Sequence, residues 1–269
     1  MTRFAAIQLV STDDVKANLV TTAKLIQQAA DQGAECIVLP ENFALMAEDP
    51  RLKLSISESL HNGPLQSFIA EQAISHHCYL IAGTIPIRSP ESQRVFATTL
   101  VYTPSGECLA HYHKMHLFDV VVSEQEQYQE SATIYPGDTP QVIELPFAKI
   151  GLSICYDIRF PELYRDLVAK GAEVLVVPSA FTAVTGSAHW EILCRARAIE
   201  NLCYLIAPNQ GGQHNSMRET YGNSLIVDYW GRILASHPLG IGVITADIDL
   251  GGLRKQRELF PAIQHRRLL

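Results

Sequence analysis

The strongest constraint in this sequence is that its two halves repeat one another. Residues 33–43 read GAECIVLPENF and residues 171–181 read GAEVLVVPSAF, each an apolar, β-branched run that stops at a proline. The run Cys78-Tyr79-Leu80-Ile81-Ala82 returns as Cys203-Tyr204-Leu205-Ile206-Ala207, and LVYTPSGECLA from Leu100 is echoed by LIVDYWGRILA from Leu225, both pairs at one shared offset. Each half opens alike, with a short strand (Phe4 to Val10; Ile150 to Ile154), then a helix, then the strand led by Gly-Ala-Glu. The first helix is expected over Asp14 to Asp31, with Val15, Leu19, Ala23, Ile26 and Ala30 on its inner face and Gly33 beyond its end. Its counterpart starts at Pro161, a favoured first helical residue, turns Leu163, Leu167 and Val168 inward and stops at Gly171. A third helix is expected from Pro64 to His76 with Leu65, Phe68, Ile69 and Ala73 inward, and Ala188 to Asn201 takes its place in the second half.

Strands bounded by helices, with hairpin-like TPSGE and DYWGR turns, give an α/β fold: two mixed sheets packed face to face and covered outside by helices. No Pro/Ser/Gly-rich linker lies between residues 138 and 150, so we read residues 1–269 as one domain with similar halves, about 1–140 and 145–269. Composition closes off other classes. With 47% hydrophobic and 18% charged residues the chain is globular, and a net charge of −7 without a long Lys/Arg run argues against a nucleic-acid partner. No window of ~18 apolar residues offers a membrane span. The opening residues do not read as a signal peptide, which leaves the cytoplasm as the expected compartment. The six cysteines include no C-x-x-C pair, so neither a zinc ribbon nor a disulfide framework is supported.

Where the halves differ, chemistry is the reason to look. After the proline that ends its strand, the first half has Glu41 where the second has Ser179; in the opening strands, Cys155 stands opposite Leu9. Ends of strands are where α/β folds build sites. Cys155 is followed by Tyr156-Asp157 and the helix from Pro161, which places the thiol in a sharp turn facing a helix N-terminus, where backbone N–H groups favour thiolate and a developing oxyanion. A buried structural cysteine is the other reading. Glu41 is either an exposed residue past its strand or, if half-buried, a base for a thiol proton. In HYHKMHL, alternation sets Tyr112, Lys114 and His116 on one face of a strand, with His111 and His113 on the other, which argues against a metal site. The stretch Val120 to Gln129 reads as a surface loop, a lid being the alternative.

Taken together, Leu39-Pro40-Glu41, His113-Lys114-Met115-His116-Leu117-Phe118-Asp119 and Cys155-Tyr156-Asp157-Ile158-Arg159-Phe160-Pro161-Glu162 resemble, in this order, the motifs of the nitrilase (carbon–nitrogen hydrolase) superfamily, and the likeness runs nearly end to end. The stretch Ser179 to Tyr204, Tyr221-Gly222-Asn223-Ser224 and the terminal FPAIQHRR look most like its Nit branch, in particular the amidases of deaminated glutathione. The resemblance implies an αββα sandwich that stacks into four layers across a homodimer. It also implies roles: Cys155 as nucleophile, Glu41 as general base, Lys114 as oxyanion-stabilising cation, and a second glutamate, matched by Glu130 ahead of Ser131 and Gly137, with Glu124 and Glu126 as neighbouring competitors.

The implied chemistry is hydrolysis of a small amide bearing a carboxylate or 2-oxo acid, through a thioester on Cys155 and with no metal or organic cofactor. The Tyr156 backbone N–H would share the oxyanion with Lys114. Arg159 is the expected anchor for the acid group, with Phe181 and Thr185 as pocket wall; an ion pair with Glu162 or Asp157 is its structural alternative. ω-Amidase action on 2-oxoglutaramate-type amides and N-carbamoyl hydrolysis are variants within the class. A silent member that binds a metabolite or partner, and a Cys-His hydrolase using His111 or His113, are alternatives outside it.

Overall fold

The computed structural model describes residues 1–124 and 126–268; Gln125, within the Val120 to Gln129 stretch, and Leu269 lie outside the described residues. The first half runs β1 (Thr2–Gln8), α1 (Val15–Asp31), β2 (Cys36–Val38), α2 (Leu52–Ser55), α3 (Pro64–His76), β3 (Tyr79–Ile81), β4 (Ile85–Arg88), β5 (Val95–Tyr102), β6 (Cys108–His113), β7 (Asp119–Val121) and β8 (Gln127–Gln129). The second runs β9 (Val142–Glu144), β10 (Lys149–Leu152), α4 (Pro161–Ala169), β11 (Val174–Val176), α5 (Ala183–Asn201), β12 (Tyr204–Ala207), β13 (Gly211–Gln213), β14 (Glu219–Tyr221), β15 (Ser224–Val227), β16 (Ile233–His237), β17 (Gly242–Ile248) and α6 (Leu250–Leu259).

Two sheets carry the repeat. One has the order β17-β1-β2-β3-β5-β4, with β6 also on β5; the other has the order β16-β15-β12-β11-β10-β9. Within them β1, β2 and β3 run parallel and β5 antiparallel, as do β10, β11, β12 and β15, so equivalent strands occupy equivalent places. Strand alternation then builds two layers of core. Phe4, Ala6, Cys36 and Val38 meet Ile150, Leu152, Val174 and Val176 of the other sheet, while Ala5, Ile7, Ile37 and Leu80 face Leu25 and Ile26 of α1 and Leu65 and Ile69 of α3. Leu163 and Leu167 of α4 and Trp190 of α5 cover the second sheet. Each Val, Leu, Ile or Phe among these, when fully buried, contributes roughly 1.5–3 kcal/mol. The result is the expected αββα sandwich, and among the described residues no helix is long and apolar enough to cross a membrane.

Two helices depart from expectation, each for a local reason. The fully buried stripe of α1 is Asn18, Thr22, Leu25, Ile26 and Ala29, so the helix is rotated relative to its apolar pattern, and Val15, Leu19, Ala23 and Ala30 are only half-buried. Asn18 can be buried because its carboxamide donates to the carbonyls of Thr12 (2.8 Å) and Ala44 (2.9 Å) and accepts from the Thr12 N–H (2.9 Å). Helix α5 begins at Ala183 rather than Ala188, because the Thr182 side chain caps it, accepting from the Thr185 N–H.

Candidate active site

Glu41 follows the end of β2, Lys114 directly follows β6, and Cys155 follows β10. All three lie just past the carboxyl ends of strands, and the packing of the two sheets brings them together. Cys155 opens a 3₁₀ turn, Cys155–Arg159, with φ +46°, a left-handed conformation that costs a non-glycine residue roughly 1–2 kcal/mol. Asp157 and Pro178 hold the turn there. The Cys155 N–H donates to the Pro178 carbonyl (2.9 Å), and the fully buried Asp157 carboxylate accepts from the Ile154 N–H (2.8 Å), the Tyr112 hydroxyl (2.8 Å), and the N–H (3.0 Å) and Nδ1 (2.7 Å) of His116. Tyr112 and His116 flank Lys114, so Asp157 fixes the distance between the cysteine turn and the lysine segment.

Lys114 is 2% exposed, and a lysine so buried needs compensation. Its Nζ donates to Glu41 Oε1 (2.7 Å) and Glu130 Oε1 (2.9 Å), and the second Glu130 oxygen accepts from the Phe118 N–H (2.7 Å). Glu41, 3% exposed, is buried beyond the half-burial that the functional reading asks for, and is not a solvated carboxylate. Its own carbonyl accepts from the Gln210 side chain (3.0 Å), which reaches across from the second half of the chain.

The electrostatics assign protonation states. Burial works against the Glu41 charge, yet Lys114, by its charge and hydrogen bond, together with the Cys155 thiol, holds the carboxyl below the usual glutamate range. Burial also works against the Lys114 charge, but Glu130 and Glu41 outweigh it and hold the ammonium well above its ordinary value. Burial and the Glu41 charge push the Cys155 thiol far up, against the opposing pull of Lys114. This corrects the thiolate expectation: at neutral pH the cluster rests as thiol, carboxylate and ammonium, with the thiol beside the carboxylate that can take its proton.

Cys155, Glu41, Lys114 and Glu130 line a cavity of about 330 Å³, together with Tyr156, Phe181 and Thr185. Arg159 is not among the lining residues. Its guanidinium lies over the rings of Phe181 (5.1 Å) and Tyr156 (5.8 Å), with Nη1 3.3 Å from His189 Nδ1, and among the described residues it forms no ion pair with Glu162 or Asp157. Of the competitors of Glu130, Glu126 borders the cavity but accepts from the Tyr128 hydroxyl (2.8 Å), and Glu124 is exposed away from it. Neither His111 nor His113 lines the cavity: His113 Nδ1 sits on the Thr98 hydroxyl (2.8 Å), its ring stacks on Phe96, and burial lowers its pKa to about 4. The surface stretch before Glu130 is a paired ribbon, β7 with β8, that places Gln127, Tyr128 and Gln129 on the cavity wall.

Sequence reasoning missed two lining cations, Lys53 of α2 and Arg218 in the β13–β14 connection. Both lie in segments that the repeat does not cover and that carry no periodic pattern.

Residues 3–258 match the carbon–nitrogen hydrolase family. A deaminated glutathione amidase of Synechocystis sp. is 42% identical over 265 residues, 97% of this chain and 97% of that protein. The C. elegans NitFhit protein superposes with a TM-score of 0.91 and 34% identity, covering 99% of this chain but 65% of that one, so this chain spans just under two thirds of NitFhit. Saccharomyces cerevisiae Nit3, a member of branch 10 of the nitrilase superfamily, superposes with a TM-score of 0.89 and 30% identity, covering 99% of this chain and 97% of that one.

Proposed function

This chain belongs to the carbon–nitrogen hydrolase family, and on that premise we propose that it is a thiol amidase whose substrate is deaminated glutathione, cleaved to 2-oxoglutarate and cysteinylglycine. The observation that carries the reading is the thiol–carboxylate–ammonium cluster of Cys155, Glu41 and Lys114, buried at the floor of a cavity and braced by Glu130.

An amide carbonyl is a poor electrophile, so its hydrolysis needs a strong nucleophile, a cation at the oxyanion and an acid for the leaving amine. Glu41 takes the Cys155 proton as sulfur adds to the carbonyl carbon. The oxyanion that forms lies against Lys114 Nζ and the Tyr156 N–H, whose neighbour at Cys155 is already committed to Pro178. Collapse breaks the carbon–nitrogen bond, and the protonated Glu41 hands its proton to the departing amine. Water then enters, gives a proton to Glu41 and adds to the thioester; collapse returns that proton to sulfur and releases the acid. Glu130 acts through Lys114, keeping the ammonium charged and aimed. Tyr156, Phe181 and Thr185 form the wall for the 2-oxo acid half, with the Arg159 charge behind their rings.

In this reading residues 1–269 act as one domain, because Glu41 and Lys114 come from one half and Cys155 from the other. A homodimer fits the apolar residues left exposed on α5 and α6, including Ile192 (69%) and Leu259 (71%). A cytoplasmic location fits the six free cysteines. The test is to incubate the protein with deaminated glutathione and follow both products. Equal release of 2-oxoglutarate and cysteinylglycine is expected, with an acyl-enzyme mass on Cys155 in quenched samples. Hydrolysis that persists in Cys155→Ala would overturn the mechanism.

A further inference from the structure

Lys53 and Arg218 are two cations on the cavity wall that the catalytic steps do not use. Among the described residues neither makes a side-chain hydrogen bond or an ion pair. The nearest acids are spoken for. Glu41 and Glu130 are held by Lys114, and Glu126 by Tyr128. Glu48 is exposed and accepts from the Ser216 hydroxyl at 3.4 Å. In the same segment Arg218 Nε and Asn215 Nδ2 are buried with no hydrogen-bond partner among the described residues. The segment is nevertheless built on a firm base. The His214 N–H donates to the Arg218 carbonyl (3.0 Å), His214 Nδ1 donates to the Ser11 carbonyl (2.7 Å), and Nε2 accepts from the Thr220 hydroxyl (2.6 Å). Arg218 also lies over the Tyr128 ring at 5.8 Å.

Two positive side chains on one cavity wall, neither of them ion-paired among the described residues, call for an anionic ligand. Burial lowers the Lys53 pKa; Glu130 and Glu41 oppose the drop, while Arg218 and Lys114 add to it. A carboxylate seated between them would relieve that repulsion. We propose that Lys53 and Arg218, with Asn215 beside them, bind the carboxylate carried by the leaving amine, so that the enzyme selects amides whose amine half ends in an acid over those that release ammonia. The inference rests on the amidase reading above and names a subsite it does not contain. The proposed function assigns the acyl half to Tyr156, Phe181 and Thr185, whereas Lys53 and Arg218 come from two other segments of the cavity lining. A dipeptide amine extends by up to ~7 Å from the scissile bond, far enough for its terminal carboxylate to lie apart from the reacting carbonyl. A cavity of about 330 Å³ is of a size that holds a whole small-molecule ligand rather than one end of it.

The test compares deaminated glutathione with its glycinamide, in which the terminal carboxylate is capped and the scissile bond is the same. Charge-assisted hydrogen bonds to one carboxylate predict a kcat/KM ratio, acid over amide, of roughly 10- to 100-fold in the parent. Lys53→Met and Arg218→Gln should each lower the ratio, and the double variant should bring it to about one. The ratio cancels any damage to Lys114 or Glu130 that losing Lys53 causes, because both compounds feel it equally. Calorimetric binding of the same pair to the Cys155→Ala protein should follow the same ordering without turnover. A parent that cleaves acid and glycinamide equally, or a double variant that keeps the parent ratio, overturns the subsite and leaves the amidase reading standing. Absence of any thioester on Cys155 with either compound overturns both.

Discussion

At the scale of single residues, the cluster is a case of three side chains that are each unfavourable where they stand and tolerable only together. Lys114→Met would leave the buried Glu41 and the half-buried Glu130 carboxylates sharing one space without a cation, and breaking a buried pair such as Lys114–Glu41 costs about 3–5 kcal/mol. Chemical denaturation should register that loss, and turnover should fall at least ~10²-fold, the usual effect of one oxyanion donor. Glu41→Gln separates reactivity from catalysis. It removes the charge that pushes the thiol up while Lys114 still pulls it down, so thiolate absorbance from Cys155 should appear at a lower pH than in the parent as amide turnover is lost. A lost turnover with no change in the thiolate titration would count against Glu41 as its partner. The pH dependence follows from the same groups. Because the Glu41 pKa is depressed in the folded state, its contribution to stability is present above the ordinary glutamate value, roughly 4.3, and disappears as pH falls through the lower folded value. The Lys114 pKa is raised, so its contribution is complete below roughly 10.4 and is lost only as pH climbs through the higher folded value. The acidic limb of kcat/KM assigned to Glu41 should accordingly lie below the usual glutamate range. Of these residues, Glu41, Lys114, Glu130 and Cys155 could be named from sequence because motif order marks them. Lys53 and Arg218 could not, because an isolated cation in a loop looks the same whether it meets solvent or a cavity.

At the scale of elements, close backbone approaches next to the site decide where the side chains point. Gly83 has φ +41°, and a Cβ there would come within 2.0 Å of the Pro40 carbonyl, on the residue preceding Glu41. Gly83→Ala should therefore push the Pro40–Glu41 segment away from Lys114, lowering the Tm by the equivalent of ~1–3 kcal/mol and lowering kcat more than KM. Thermal melts and steady-state kinetics on one preparation check both; a variant with parent kcat would show that the segment tolerates the shift. Element positions were readable wherever an apolar run met a clear stop: Pro64 to His76 and the helix from Pro161 stand where the pattern put them. The pattern was less informative where polar residues were satisfied inside. Asn18 and Thr22 lie outside the expected apolar face of α1 and are buried, because the backbone of residues 12 and 44 supplies partners for Asn18 and the Asn18 carbonyl accepts from the Thr22 hydroxyl. The early start of α5 was hidden for a related reason, since Thr182 caps a stretch containing Gly186 and Thr185, which propensity alone would leave out of a helix.

At the scale of the whole molecule, the sequence repeat foretold two sheets of like topology, but not where the chain would close. The exposed apolar residues of α5 give a direct check on assembly: Ile192→Glu should shift the parent toward monomer in sedimentation velocity, whereas a parent that is already monomeric removes the dimer from the account. The pairing of β17 with β1 has a consequence of its own. All seven residues from Thr2 to Gln8 find partners between Gly242 and Ile248, so β1 is synthesised long before the strand that pairs with it. Until then it presents an open edge of backbone donors and acceptors. Synthesis therefore cannot complete this sheet before residues 242–248 have emerged, and a message truncated shortly before residue 242 would yield an adhesive product rather than a slightly shortened enzyme.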